Sequence, residues 1–306
     1  MEKQSLYIDS SYDNNRLWGT LYYDQNSTKA LIQVFHGMAE HKERYDWFAT
    51  KLVTAGYAVL TCDHRGHGKN AKLLGYFAAE NGWQENLNDL HALYLKAKAI
   101  IDLPLIIFGH SMGSLIARSY LKRYHADIKG VILSGSPSYT PVLPLAKLLA
   151  QGIALVYGKK HPSKLLDKLS FGSFNNKIKD PQTSFDWLSV NQDNVKAYID
   201  DPLCGYLFTV SGYLDLFSGL TDVYKTSNWT ITDNMTPILF ISGQQDPCMV
   251  DIKGFENAIK TLSDLGYQNI SSHLFEGLRH EILNETQRDT VFEYIKEFLK
   301  KIEERS

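Results

Sequence analysis

Cysteine is scarce in this chain. Cys62, Cys204 and Cys248 are the only three among 306 residues, and they show no CxxC spacing. An odd, scattered set points away from a disulfide framework or a thiol-ligated zinc, and towards reduced thiols in a reducing compartment. Long hydrophobic runs are missing as well. Nothing approaches the roughly 18 uninterrupted apolar residues of a membrane span. The opening segment MEKQSLYIDSSYDNNR has no apolar stretch after its basic start, so no secretory signal and a cytoplasmic location are expected. Without secretion the Asn-x-Thr triplets at Asn26, Asn228 and Asn284 carry no weight as glycosylation acceptors. Charge of one sign is lacking: 32 Lys and Arg face 34 Asp and Glu, for a net charge of −2. Without a basic face to displace counterions from phosphates, a nucleic-acid partner is not expected. The chain also lacks a G-x-G-x-x-G pattern, a phosphate-loop lysine, internal repeats and low-complexity linkers, and no cofactor is expected.

What is present is an alternation of short apolar runs with helical patterns. Leu17–Tyr23 reads as a strand of an opening hairpin. It is followed by strands at Ala30–Phe35 and Tyr57–Cys62, Leu105–Phe108 and Gly130–Ser134, with helices over Glu43–Ala55, Gln84–Ile100 and Met112–Tyr124. Near-continuous apolar strands separated by helices imply a mostly parallel sheet covered on both faces, an α/β fold. After Ser134 the rhythm stops, and prolines at 137, 141, 144, 162, 181 and 202 punctuate helical pieces. It returns with Pro237–Ser242, a helix over Ile252–Leu265, Ile270–Phe275 and a helix over Glu285–Lys300. The expected organisation is a core of residues 1–135 and 236–306, interrupted by a helical cap at 136–235.

The strand Leu105–Phe108 runs directly into Gly109-His110-Ser111-Met112-Gly113 and then a helix. This G-x-S-x-G strand–turn–helix is a nucleophile elbow: the turn exposes a serine hydroxyl at a helix N-terminus, and glycines are needed where side chains would strike the neighbouring strand and helix. A serine needs a base, and the base an orienting carboxylate, both on loops after later strands. Asp246 follows Pro237–Ser242, and His280 follows Ile270–Phe275. The expected set is therefore Ser111 as nucleophile, His280 as general base and Asp246 as orienting acid. His273 falls inside its strand as a packing residue, and Asp251 reads as a helix N-cap. The oxyanion hole is expected to use the N–H groups of Met112 and Met38, with His36 and Gly37, Gly109 and Gly113 shaping the turns. Cys248 reads as a small loop residue in preference to a neighbour of the triad. The cluster of His36, His41, His64 and His67 lacks the offsets of a metal motif, so turn and packing roles are expected, with no metal.

The run His36-Gly37-Met38-Ala39-Glu40-His41 continuing to Arg44-Tyr45, then Asp63-His64-Arg65-Gly66-His67-Gly68 and Gly109–Gly113, resembles the monoacylglycerol lipase and lysophospholipase-like branch of α/β-hydrolases. Phe185–Ser189 with Asp201–Gly205 looks like the insertion of its bacterial members, and Arg279–Glu285 resembles their C-terminal histidine loop. The resemblance implies an α/β-hydrolase core, a cap over the site, and hydrolysis of a small lipid-like ester, a monoacylglycerol, lysophospholipid or related ester, through an acyl-enzyme. It also implies the same triad and the same oxyanion donors.

Within the cap, Leu145, Leu148, Leu149, Gly152, Ile153 and Val156 fall at helical spacing. This stripe is expected mainly to pack on the core, and in part to offer surface for an acyl chain together with Tyr206, Phe208, Tyr213 and Phe217. Lys147, Lys159 and Lys160 leave room for a transient membrane contact. The rival readings are an aminopeptidase or small-ester carboxylesterase on the same fold, with Asp186, Asp200 or Asp201 receiving an amine, and a non-catalytic ligand-binding protein.

Overall fold

The apolar strands are buried on both faces because two separate clusters of side chains close on them. Along β3 (Leu31–Phe35) the side chains of Leu31 and Phe35 enter one cluster and those of Ile32 and Val34 the other. This is the two-residue alternation of a pleated strand. A computed structural model describes residues 1–25 and 27–305 of the protein. Asn26, the first glycosylation-like triplet, lies outside them.

Among the described residues eight strands form one sheet in the order β1-β2-β4-β3-β5-β6-β7-β8. The antiparallel hairpin β1 (Glu2–Asp9) and β2 (Arg16–Tyr23) adds its second strand antiparallel to β4 (Ala58–Cys62). From β4 onward β3, β5 (Leu105–His110), β6 (Ile128–Ser134), β7 (Ile238–Gly243) and β8 (Ile270–Phe275) run parallel. One face is covered by α1 (Asp46–Thr54), and the other by α2 (Gly82–Lys98) and α3 (Met112–Tyr124). Between β6 and β7 lie four further helices, α4 (Leu143–Tyr157), α5 (Lys164–Phe171), α6 (Gln192–Asp200) and α7 (Val210–Tyr224). The layers are completed by α8 (Ile252–Leu265) beside α2 and α3, and by α9 (Arg288–Glu303) beside α1. Among the described residues no helix is long and apolar enough to cross a membrane.

The strand order reverses at β3, whose neighbours are β4 on one side and β5 on the other. Ligand crevices of open α/β sheets form at such a switch point, outside the carboxyl ends of the strands. Here the loops leaving β3 and β5 stand side by side, since Phe35 pairs with Gly109.

The apolar stripe of α4 points the other way from the sequence expectation. Leu145, Leu155 and Val156 are 68%, 89% and 73% exposed, while Leu143 and Ala150 are buried, with Ala146, Ile153 and Ala154 half-buried beside them. At about 100° per residue the outward and inward sets occupy opposite arcs. The inward arc is rich in alanine, which lets α4 approach α7 closely. Leucines would hold the two helices apart, so they face outward.

Candidate active site

The turn at Ser111 is tight enough to exclude side chains on both flanks. Its φ and ψ are 53° and −121°, a conformation that costs a non-glycine residue about 1–3 kcal/mol. A Cβ on Gly109 would come within 2.3 Å of the Gly113 carbonyl oxygen, and one on Gly113 within 2.0 Å of the Phe35 oxygen. Glycine is thus required where the turn meets α3 and where α3 meets β3. The strain is held by the Ser111 N–H, which donates to the Ser134 carbonyl at 2.9 Å, and by the Ser114 hydroxyl, which donates to the Ser111 carbonyl at 2.6 Å. Met112 is the first residue of α3, so its N–H has no acceptor within the helix.

The loop after β3 is braced by buried histidines. His36 donates from Nδ1 to the Gly37 carbonyl at 2.7 Å, and its Nε2 accepts the His64 N–H at 3.1 Å. His64 donates to the His36 carbonyl at 2.9 Å, and His67 Nε2 accepts the Ala39 N–H at 3.3 Å. Burial holds His64 at a pKa of about 3 and His67 at about 4, so these rings stay neutral and serve as hydrogen-bonding struts. Gly37 leaves no room for a side chain, since a Cβ there would meet the Glu40 carboxylate at 2.7 Å. Met38 lines the same cleft as Ser111.

The loops after β7 and β8 bring Asp246 and His280 together. His280 Nδ1 lies 2.9 Å from Asp246 Oδ2, and both residues are buried. The carboxylate also accepts the Ser242 hydroxyl at 2.7 Å and the Cys248 N–H at 2.8 Å. Every partner of Asp246 is therefore a donor, as an ionised carboxylate requires, and Nδ1 must carry the proton. Burial alone would raise Asp246, but the His280 charge and these hydrogen bonds hold it below the usual carboxylate value. Burial likewise opposes a charge on His280, but the Asp246 carboxylate outweighs it and raises the imidazole well above its ordinary 6.5. Protonation below that raised value removes the lone pair at Nε2. Any reaction needing Nε2 as a base should therefore lose kcat/KM on the acid side, with a midpoint above 6.5. A pH–rate profile already flat below 6.5 would contradict a role for Nε2 as that base.

Ser111 and His280 line one cleft, but among the described residues no hydrogen bond joins the serine hydroxyl to the imidazole. Instead Cys248 Sγ lies 3.7 Å from His280 Nε2. The expectation of a plain loop residue thus fails, because the turn after Asp246 folds the thiol back over the His280 ring. Burial raises that thiol to about 11, so it stays neutral and offers Nε2 only a weak S–H donor. His110 and Trp187 wall the same ring at centroid distances of 4.6 and 5.1 Å.

Among the described residues two sets of side chains have atoms close enough to hold a metal, namely Asp246, Cys248 and His280, and His41, Asp201 and Cys204. Neither offers ready ligands. His41 sits between Glu43 and Asp201, 2.8 Å from each. Burial disfavours its charge, but hydrogen bonds to Cys204, Glu43 and Asp201 push its pKa to about 11, leaving both ring nitrogens protonated. In the first set the 2.9 Å Asp246–His280 hydrogen bond ties up Nδ1, and the Cys248 thiol beside Nε2 is kept protonated by burial.

The cleft holds a cavity of about 230 Å³, room for part of a small molecule, and opens to solvent. Its walls carry Phe171, Phe185, Trp187, Leu188 and Tyr206 from the segment between β6 and β7. Of the four aromatics expected there, only Tyr206 reaches it. Phe208, Tyr213 and Phe217 are buried in the core around α7, because that helix packs on α2 and α3. Of the carboxylates considered for an amine, Asp186 is occupied by Gln182 and Thr183, Asp200 by Lys196, and Asp201 by His41.

A sequence profile of the family described as serine aminopeptidase, S33, matches residues 26–287. The chain is 27% identical to phospholipase YtpA of Bacillus subtilis over 270 residues, which is 88% of this chain and 94% of that one. It is 26% identical to a monoacylglycerol lipase of Mycolicibacterium smegmatis over 87% of this chain and 86% of that one. Its fold superposes on the crystal structure of a thermostable carboxyl esterase from Bacillus coagulans with a TM-score of 0.89, at 26% identity and 99% coverage of both chains.

Proposed function

The chain belongs to the serine aminopeptidase S33 family and has the α/β-hydrolase fold, and from that premise we propose that it hydrolyses carboxylic esters of lipid-like substrates through an acyl-enzyme. The observation that carries this reading is one cleft holding both the strained Ser111 turn and an imidazole pinned by Asp246. In the first step Ser111 Oγ attacks the ester carbonyl while His280 Nε2 takes the hydroxyl proton. The N–H groups of Met38 and Met112 receive the oxyanion, and the alcohol leaves with the proton held by His280. Water then enters, gives its proton to His280 and attacks the acyl carbon, and Ser111 recovers its proton as the acid departs.

Residues 136–235 act as a cap in this reading. Their aromatic wall gives the acyl chain a surface, and each buried methylene contributes about 0.8 kcal/mol. Among the described residues no lysine or arginine lines the cleft, whereas Asp167 does, beside Glu40 and Glu281 that share the Arg44 guanidinium, so an uncharged head group suits it better than an anionic one. Of the relatives' names, monoacylglycerol lipase agrees with an uncharged head group, whereas phospholipase names a substrate that carries a phosphate. The exposed leucines of α4, with Lys147, Lys159, Lys160, Lys164 and Lys168 nearby in sequence, suit transient contact with an anionic membrane surface.

One experiment tests substrate and surface together. Across p-nitrophenyl esters of increasing chain length, kcat/KM should rise by up to about fourfold per methylene until the cleft is filled. An aminoacyl anilide should be cleaved poorly. With long-chain monoacylglycerol in anionic vesicles, Leu148→Ser should slow turnover while leaving soluble short esters untouched. A preference for the anilide, or indifference to chain length, would overturn the lipid-ester assignment. Equal loss on both substrate forms would overturn the membrane contact.

A further inference from the structure

Two loops must stay in register for this chemistry, one carrying Met38 and the other His280. They share no strand pairing, but one buried guanidinium touches both. Arg44 Nη1 lies 2.7 Å from Glu40 Oε2 and 2.6 Å from Glu281 Oε1, and its Nη2 lies 2.7 Å from Glu281 Oε2. Glu40 stands two residues after Met38, and Glu281 directly follows His280. The cap joins the same group: Asn194 on α6 accepts from Arg44 Nη2 at 3.1 Å and donates to Glu281 at 2.7 Å. Both carboxylates are buried, at 2% and 4% exposure.

The hydrogen-bond pattern leaves neither carboxylate replaceable by an amide. Glu40 Oε1 accepts the Gly37 N–H and the Tyr45 hydroxyl, while Oε2 accepts Arg44. Glu281 Oε1 accepts Arg44, and its Oε2 accepts Arg44, Asn194 and Asn284. A glutamine at either position must turn an NH₂ group against another donor. Through Gly37 the Glu40 contact sets the turn that aims the Met38 N–H.

We propose that Glu40, Arg44 and Glu281 form a positioning clamp that locks the oxyanion loop to the general-base loop, so that donor alignment and base placement are set by one shared guanidinium. The clamp rests on the esterase reading, since it acts through Met38 and His280. It is distinct from a merely structural ion pair in one respect. Each carboxylate ties the guanidinium to a different loop, so an amide at either one shifts the two loops against each other while the fold is intact, whatever the buried donor clash costs in stability.

The test measures kcat, KM and Tm on a soluble p-nitrophenyl ester for Glu40→Gln, Glu281→Gln, the double variant and Arg44→Lys. Each single glutamine is expected to lower kcat by about 10- to 100-fold, as a misplacement of about 1 Å does, with KM little changed when assayed well below the variant's Tm, which the buried donor clash lowers. The double variant should fall little below the worse single, because both break the same tie. Arg44→Lys should also lose kcat despite keeping its charge, since an ammonium cannot bridge two carboxylates in a planar fork. Wild-type kcat in the glutamine variants, or losses that simply multiply in the double, would overturn the clamp. So would a kcat loss seen only near the variant's Tm and absent well below it. Inactive wild-type protein would instead sink the esterase reading itself.

Discussion

Ser111→Ala is expected to lower kcat by about 10³- to 10⁶-fold while leaving KM and the fold nearly unchanged. The size follows from what the hydroxyl supplies. Without it no acyl-enzyme forms, and only water held near His280 and the oxyanion donors remains to attack the ester. The fold should survive because Ser111 is held by its backbone: its N–H bonds to Ser134 and its carbonyl receives the Ser114 hydroxyl, and neither bond uses Oγ. Alanine at φ 53° keeps a Cβ of the same size, so it adds no strain beyond that already stored. The measurement is steady-state turnover of a p-nitrophenyl ester beside a thermal melt. Turnover within a few-fold of wild type would remove Ser111 from the mechanism.

Asp246→Asn is the second large effect, expected to cost about 10⁴-fold in kcat, as loss of the triad carboxylate does in a Ser-His-Asp site. Asp246 accepts from the His280 ring, the Ser242 hydroxyl and the Cys248 N–H. An asparagine must turn its NH₂ towards one of these donors. If it faces His280, the ring is driven to the opposite tautomer and Nε2 carries a proton, which ends its role as base. If it faces Cys248 instead, the 247–249 turn loses its cap, and the thiol 3.7 Å from Nε2 shifts with it. Either way the acid limb of the pH profile should move down, because the charge that raises His280 is gone. A variant with nearly normal kcat and an unmoved acid limb would show that Asp246 does not orient the base.

The sequence made the sheet legible because buried parallel strands are nearly continuous apolar runs. The bounds of β5 through β8 differ from the expectations by a few residues at most. The placement of Asp246 and His280 was legible for a related reason, since residues just past strand ends converge at one edge of such a sheet. Three features were not legible. The outward face of α4 was hidden because both of its arcs are apolar, and only the small size of Ala146, Ala150 and Ala154 marks the packed side. The reach of Cys248 over Nε2 depends on the short turn after Asp246, which spacing alone does not orient. The Arg44 contacts link positions far apart in the chain, and no local periodicity signals a partner at Glu281. The residues Glu40 and Arg44 were visible in the motif, but their connection was not.

Ser111 as a nucleophile activated by a pinned imidazole is tested most directly by its reaction with an alkyl fluorophosphonate. The wild-type protein, incubated with the probe and digested for mass spectrometry, should carry one phosphonyl adduct on the peptide containing Ser111. Asp246→Asn should acquire the same adduct far more slowly, and Ser111→Ala should acquire none. No adduct on Ser111 in the wild-type protein, or undiminished labelling of Ser111→Ala at another residue, would contradict it.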